Sequence, residues 1–191
     1  MGGRLANSRS HQAPAAGAIG LALGLVAPSA AAAYPSFGPN DVATVFFINK
    51  SDDKNRVDYW IRLDDRCAPT VDDAVVPYWR EFEKAPPVIT HSIGMLDKMA
   101  YGIASQRVVR RDQNGGDHFM RLKQVGRPIG IATRRGEGGR CIATARTTIA
   151  GVTAELSSIY VKLNGPLSVA YIDIKGRDMR TGKAVVERLK P

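Results

Sequence analysis

Residues 56–63 read Arg-Val-Asp-Tyr-Trp-Ile-Arg-Leu, and this stretch carries the clearest structural pattern in the chain. Four large apolar residues, Val57, Tyr59, Ile61 and Leu63, occupy alternate positions, and the residues between them are polar except for Trp60. A period of two is typical of a β-strand with one face in a core and the other towards solvent. The pattern therefore predicts a half-buried strand whose Val57/Tyr59/Ile61/Leu63 face points into the core.

Similar short segments flank this strand on both sides. Residues 43–49 contain the short apolar, β-prone run 45–48, and the polar residues 51–55 after them suit a hairpin connection. From residue 101 onward, seven further segments of strand length are separated by turns rich in Gly and Asn, whereas residues 92–99 show the only helical spacing. We therefore expect an all-β fold: a single antiparallel barrel or barrel-like sandwich of about eight to ten strands with one short helix.

The amino-terminal 33 residues have the layout of a cleavable signal peptide. Arg4 and Arg9 precede an apolar run over 15–26, and small residues ending at Ala33 follow it. The run is shorter than the roughly 20 residues that span a bilayer, so no transmembrane segment is expected. This arrangement predicts an exported protein, periplasmic or extracellular after cleavage near Ala33. A lead-in over 34–42 and a single β-domain over 43–191 would follow.

Two cysteines, Cys67 and Cys141, remain after the predicted cleavage site. An even number of cysteines in an oxidising compartment favours a disulfide, with two separate thiols as the alternative. Neither cysteine belongs to a Cys-x-x-Cys motif or stands near a histidine in the sequence, which argues against a redox or zinc site.

The positive charge of the chain is concentrated in residues 107–146. Only three acidic residues accompany the basic residues of this window, which are Arg107, Arg110, Arg111, Arg121, Lys123, Arg127, Arg134, Arg135, Arg140 and Arg146. Such a field attracts an anionic envelope polymer or lipid, although a set of solvated strand faces would have the same composition. No nucleic-acid partner is expected for an exported protein without an RNA-binding signature.

No catalytic, metal-binding or cofactor motif stands out in the sequence. The histidines after the signal are His91 and His118, and no Gly-x-Ser-x-Gly elbow accompanies them. Residues 176–183 lack the spacing of a phosphate-binding loop, and the paired aspartates lack that of a calcium loop. We therefore assign no catalytic residue, no metal and no cofactor.

Several aromatic and basic side chains are candidates for contact with a ligand. Trp60 falls on the polar face of its strand, and a cluster of neighbouring residues follows at 78–80. Such side chains line cavities or stack on sugars, and the alternative is that they seal the end of a barrel. The candidate ligand-binding residues are Trp60, Tyr78, Trp79, Arg80, Arg121 and Lys123.

A set of short motifs resembles one protein family. These motifs, in order, are Phe46-Phe47-Ile48, Asn55, Val57-Asp58-Tyr59, Pro77-Tyr78-Trp79-Arg80, Lys98-Met99-Ala100-Tyr101-Gly102, Tyr171-Ile172-Asp173-Ile174-Lys175-Gly176, Asp178, Thr181-Gly182-Lys183 and Glu187. Across residues 43–191 the chain is similar to the exported bacterial proteins grouped as domain of unknown function 4833. The resemblance implies bacterial origin and export, and it supplies neither an activity nor catalytic residues.

Two classes of function remain open on this basis. The first is a non-catalytic binding module for a small apolar ligand or an anionic component of the cell envelope. The second is a hydrolase acting on an envelope polymer, with a carboxylate pair or His91 at its centre. The lack of a catalytic constellation favours the binding module. The oligomeric state is left open.

Overall fold

The computed structural model describes residues 37–51, 53–82, 88–164 and 168–190. The predicted signal peptide and its cleavage site lie outside these residues. Eleven strands and one α-helix are described, and they are β1 (Val42–Lys50), β2 (Arg56–Ile61), β3 (Val75–Glu81), β4 (Val88–Ser92), α1 (Met95–Ala100), β5 (Ile103–Asp112), β6 (Gly115–Leu122), β7 (Pro128–Arg135), β8 (Cys141–Ile149), β9 (Val152–Leu163), β10 (Val169–Asp178) and β11 (Ala184–Leu189). The all-β prediction is confirmed. No helix among the described residues is long and apolar enough to cross a bilayer.

All the strands belong to one curled sheet that branches at β9. The first residues of β9 pair with β8, and residues 158–161 pair in parallel with β1. Since β10 pairs with β9 over residues 154–163, the strands β8 and β1 share the opposite edge of β9. One arm of the sheet then runs β1-β2-β3-β4 and the other runs β8-β7-β6-β5. The β1/β9 pair is parallel, which differs from the purely antiparallel sheet that the turns suggested.

The core lies inside the curl and receives side chains from both arms. Val57, Tyr59, Ile61 and Leu63 all belong to it, as the alternation in residues 56–63 predicts. From the other arm come Met120, Leu122, Ile129, Ile131, Ala145 and Ile149. The successive hairpins β5-β6, β6-β7 and β7-β8 form the meander expected from the Gly-rich turns.

The segment before the helix differs most from its predicted structure. Ser92 was expected to begin a helix, but it ends β4, where Tyr78 pairs with Ser92 and Trp79 with His91. The helix begins at Met95 instead, after Gly94, and no side chain caps it. The backbone hydrogen bonds offered by β3 outweigh the weak helical preference of a short segment. This additional strand brings the total to eleven.

A seam of side-chain hydrogen bonds joins the exposed edge of β5 to the β2–β3 region. Gln106 accepts a hydrogen bond from the Val75 amide and donates one to the Val75 carbonyl, both at 3.1 Å. The Val108 amide donates to Asp72 at 2.8 Å, and the Arg111 guanidinium donates to the Pro69 carbonyl at 2.9 Å. These contacts occupy backbone groups that an open strand edge would expose.

Candidate functional site

A cavity of about 540 Å³ opens at the end of the sheet where β9, β10 and β11 approach α1. Cross-strand pairing brings its aliphatic side chains together, because Val161 pairs with Ile172, Leu163 with Val169, and Ile172 with Leu189. These side chains are half-buried, whereas Ile159 and Ile174 further along the same strands are fully buried. The cavity therefore continues the apolar core outward, and its volume lies within the range of small-molecule sites.

The helix α1 and the residues after it form the opposite wall of the cavity. Trp79 donates its indole N–H to Asp97 at 3.0 Å, and Gln124 donates to the Met99 carbonyl at 3.1 Å. Met99 is 63% exposed, and both Met99 and Tyr101 line the cavity. The two hydrogen bonds fasten the short helix to β3 and to the β6–β7 turn, so this wall is held in place by tertiary contacts.

Polar and charged side chains also line the cavity. Lys50, Asp97, Gln124 and Lys190 line it, and the Lys50 ammonium lies 3.7 Å from an Asp53 carboxylate oxygen. Burial, with nearby Asp97 and Asp53, raises the pKa of Tyr101 to about 12, so its phenol is protonated near neutral pH. A mainly apolar lining with a few polar groups suits a ligand that is mainly apolar.

The structure does not assemble a catalytic centre around His118. The imidazole is 1% exposed, and the hydrogen-bond partner of its Nε2, at 3.1 Å, is Gln106 Oε1 and not a carboxylate. Burial lowers the pKa of His118 to about 4, which leaves the ring neutral near pH 7. The side chain of His91 lies outside what the structure describes. In the described part of the chain, no group of three or more His, Cys, Asp or Glu is placed to hold a metal ion.

The aromatic candidates from the sequence fall in different environments. Trp60 and Tyr78 are buried on the outer side of β2 and β3, where Phe37 packs edge-on against both rings. Trp79 is half-buried against the main core and contacts Tyr101. None of these three rings lines the cavity. The cavity is instead formed by aliphatic side chains whose distant pairing no sequence motif marked.

Arg80 belongs to a charged cluster on the same outer side. Its guanidinium Nε and that of Arg56 lie 2.9 Å and 2.6 Å from the carboxylate of Asp58. The Asp58 side chain is fully buried, and Thr44 also donates to it at 2.9 Å. Sequence reasoning missed Asp58 and Arg56, because the alternation of β2 places both on the face expected to be solvated.

Some basic residues of the window 107–146 form contacts within the protein, and others lie on an exposed face of the sheet. Arg127 forms a two-pronged ion pair with Glu187 at 2.8 Å, and Arg111 donates a hydrogen bond to the Pro69 carbonyl. Arg107 and Arg121 instead project outward, each with its guanidinium carbon within 6 Å of the centre of the Phe119 ring, at 5.9 and 5.8 Å. Lys123 is exposed in the turn after β6.

Comparison with known proteins identifies the family but not an activity. The family model described as a domain of unknown function, number 4833, matches residues 46–188. The chain belongs to this family, as the resemblance of its short motifs predicted. No curated protein and no solved structure gives a significant match to the chain.

Proposed function

We propose that this protein is an exported binding module that holds a small, mainly apolar ligand in the cavity at the end of β9, β10 and β11. The observation that carries the proposal is a cavity of about 540 Å³ in which apolar side chains predominate among the described lining residues. Burying apolar ligand surface there is favourable by about 25 cal/mol per Å². The disulfide between Cys67 and Cys141 supports export, because such bonds persist in oxidising compartments.

A hydrolase acting on an envelope polymer is the less supported alternative. It requires a general acid or base that a substrate can reach. His118 is buried and bonded to Gln106, and it stays neutral near pH 7. Among the described residues that line the cavity, only Asp97 carries a carboxylate, and this group already accepts the Trp79 indole N–H.

Filling the cavity tests the binding proposal. The variant Val169→Trp places a bulky ring among the lining residues and is expected to weaken binding of the neutral fluorescent probe N-phenyl-1-naphthylamine at least tenfold, measured by titration. Val186→Trp is the matched control, because Val186 is 55% exposed on the neighbouring strand and does not line the cavity. Absence of saturable binding, or equal losses in both variants, would contradict the proposal.

The outer face of the meander supports a second candidate function, binding of an anionic envelope polymer or lipid. Phe119, Gly130 and Arg146 are successive cross-strand neighbours on this face. Apart from Gly130 and the two residues next to it in the chain, no atom lies within 4 Å of the position that a Cβ would occupy at Gly130. Gly130 therefore forms the floor of a shallow depression. Phe119, with Arg107 and Arg121 beside its ring, borders the depression on one side, and Arg146 borders it on the other. The charge and open floor of the depression suit an extended anionic chain.

Charge removal from this face tests the second candidate. The double variant Arg121→Gln/Lys123→Gln is expected to elute from heparin at lower salt than the wild type without a change in thermal stability, because both side chains are exposed. Retention of the wild type should also fall between 0.1 M and 1 M salt, where the Debye length shrinks from about 10 Å to about 3 Å. The control variant Arg177→Gln/Lys183→Gln removes the same amount of charge but leaves every basic residue of the meander in place. Retention on heparin that persists at 1 M salt would contradict the proposal that this face binds an anionic polymer. Equal shifts in the eluting salt concentration for both double variants would contradict it as well.

A further inference from the structure

The cluster of Arg56, Asp58 and Arg80 contains more positive charge than its buried carboxylate requires. Asp58 is fully buried, and a buried carboxylate is costly unless it is paired and hydrogen-bonded. Arg56 alone supplies two hydrogen bonds to it, from Nε at 2.6 Å and Nη2 at 3.3 Å, and Thr44 supplies a third. Arg80 adds a second cation, 2.9 Å from the same carboxylate. The cluster thus has a formal charge of +1.

Both guanidinium groups are held in place by several contacts, and both arginine side chains remain partly exposed. The Arg56 guanidinium lies over the rings of Phe47 and Phe82, at 4.0 and 4.9 Å from their centres. Arg80 Nη2 donates to Thr44 and to Tyr78. The two arginine side chains are 22% and 23% exposed. Among the hydrogen bonds that join described residues, none uses Nη1 of either arginine.

We propose that Arg56 and Arg80, held on Asp58, form a binding site for a single oxyanion group, a phosphate or a carboxylate, on a small acidic ligand. Two neighbouring guanidinium groups, whose Nη1 atoms form no hydrogen bond with another described residue, match the planar, two-pronged recognition that arginine provides for these anions. The contacts to Asp58, Thr44 and Phe47 fix the groups before a ligand arrives, which lowers the cost of binding. This site lies on the outer side of β2 and β3 and is separate from the cavity described above.

Titration of the full chain with inorganic phosphate and with acetate, followed by NMR, tests the site. Saturable shifts are expected at the amides and guanidinium Nε–H groups of Arg56 and Arg80. Whichever anion binds more tightly identifies the preferred group. Arg80→Gln should weaken binding at least tenfold and leave Asp58 paired with Arg56. Arg140→Gln, which removes the same charge from an exposed turn, should change it less than twofold.

The variant Arg80→Lys keeps a cation beside Asp58 and removes the planar fork, so it separates recognition from folding. It is expected to remain folded and to bind several-fold more weakly than the wild type. Wild-type affinity in Arg80→Lys, shifts that fail to saturate, or equal losses in Arg80→Gln and Arg140→Gln would overturn the proposal.

Discussion

Replacing both Cys67 and Cys141 by serine is expected to lower the free energy of unfolding by roughly 4 kcal/mol. The two residues are joined in the folded protein and are 74 positions apart in the sequence. A cross-link that closes so long a loop removes many conformations from the unfolded chain, and this loss is the main source of its stabilisation. The effect is a large fraction of the 5–15 kcal/mol that is typical of a domain.

The surroundings of the disulfide explain why its loss also affects the native state. Cys67 lies in the connection between β2 and β3, is completely buried and adopts a left-handed backbone conformation with φ 62°. Cys141 begins β8, on the other arm of the sheet. Besides the disulfide, Arg135 of β7 donates to the Asp65 carbonyl in this connection. The covalent bond therefore ties the β2–β3 connection on one arm to the start of β8 on the other.

Denaturant unfolding with and without a thiol reductant measures this contribution. Reduction should lower the stability of the wild type to that of the double serine variant and leave the variant itself unchanged. The variant thus controls for any effect of the reductant that is unrelated to the bond. A difference below 1 kcal/mol between the oxidised wild type and the variant would show that the bond contributes little to folding.

The stability of the protein is expected to fall by up to about 3 kcal/mol as the pH drops from about 6.5 to 4. The cause is His118, whose pKa is lowered from 6.5 to about 4, mainly by burial, although the charge of Asp72 raises it. Between these two values the unfolded chain binds a proton at His118 that the folded chain does not. Stability therefore rises with pH across this interval and is fully present above it.

The variant His118→Gln isolates this effect. Glutamine retains a donor for Gln106, whose side chain bridges β5 and Val75, but it does not titrate. Its unfolding free energy should be nearly independent of pH between 6.5 and 4.5. Below 4.5, both proteins should lose stability together, since Arg127 lowers the pKa of Glu187 from 4.5 to about 2. An equal pH slope in wild type and variant above 4.5 would show that other groups cause it.

Local patterns in the sequence determined much of the fold. The alternation in residues 56–63 identified the buried face of β2, and the Gly-rich turns placed the hairpins of the β5–β8 meander. The pairing of Cys67 with Cys141 was predictable from the even number of cysteines after the predicted signal peptide. These features can be predicted from the sequence because each depends on residues close together in the chain, or on a count of residue types.

Tertiary structure alone decided the branching of the sheet and the sites that result from it. The parallel pairing of β1 with β9 joins residues more than 100 positions apart, and no local period reports such a partner. The cavity takes its lining from β9, β10, β11 and α1, and Asp58 is buried because Thr44, Arg56 and Arg80 converge on it from three strands. A strand's sequence shows which side chains share a face. What covers that face depends on packing between distant segments, and only the folded chain shows it.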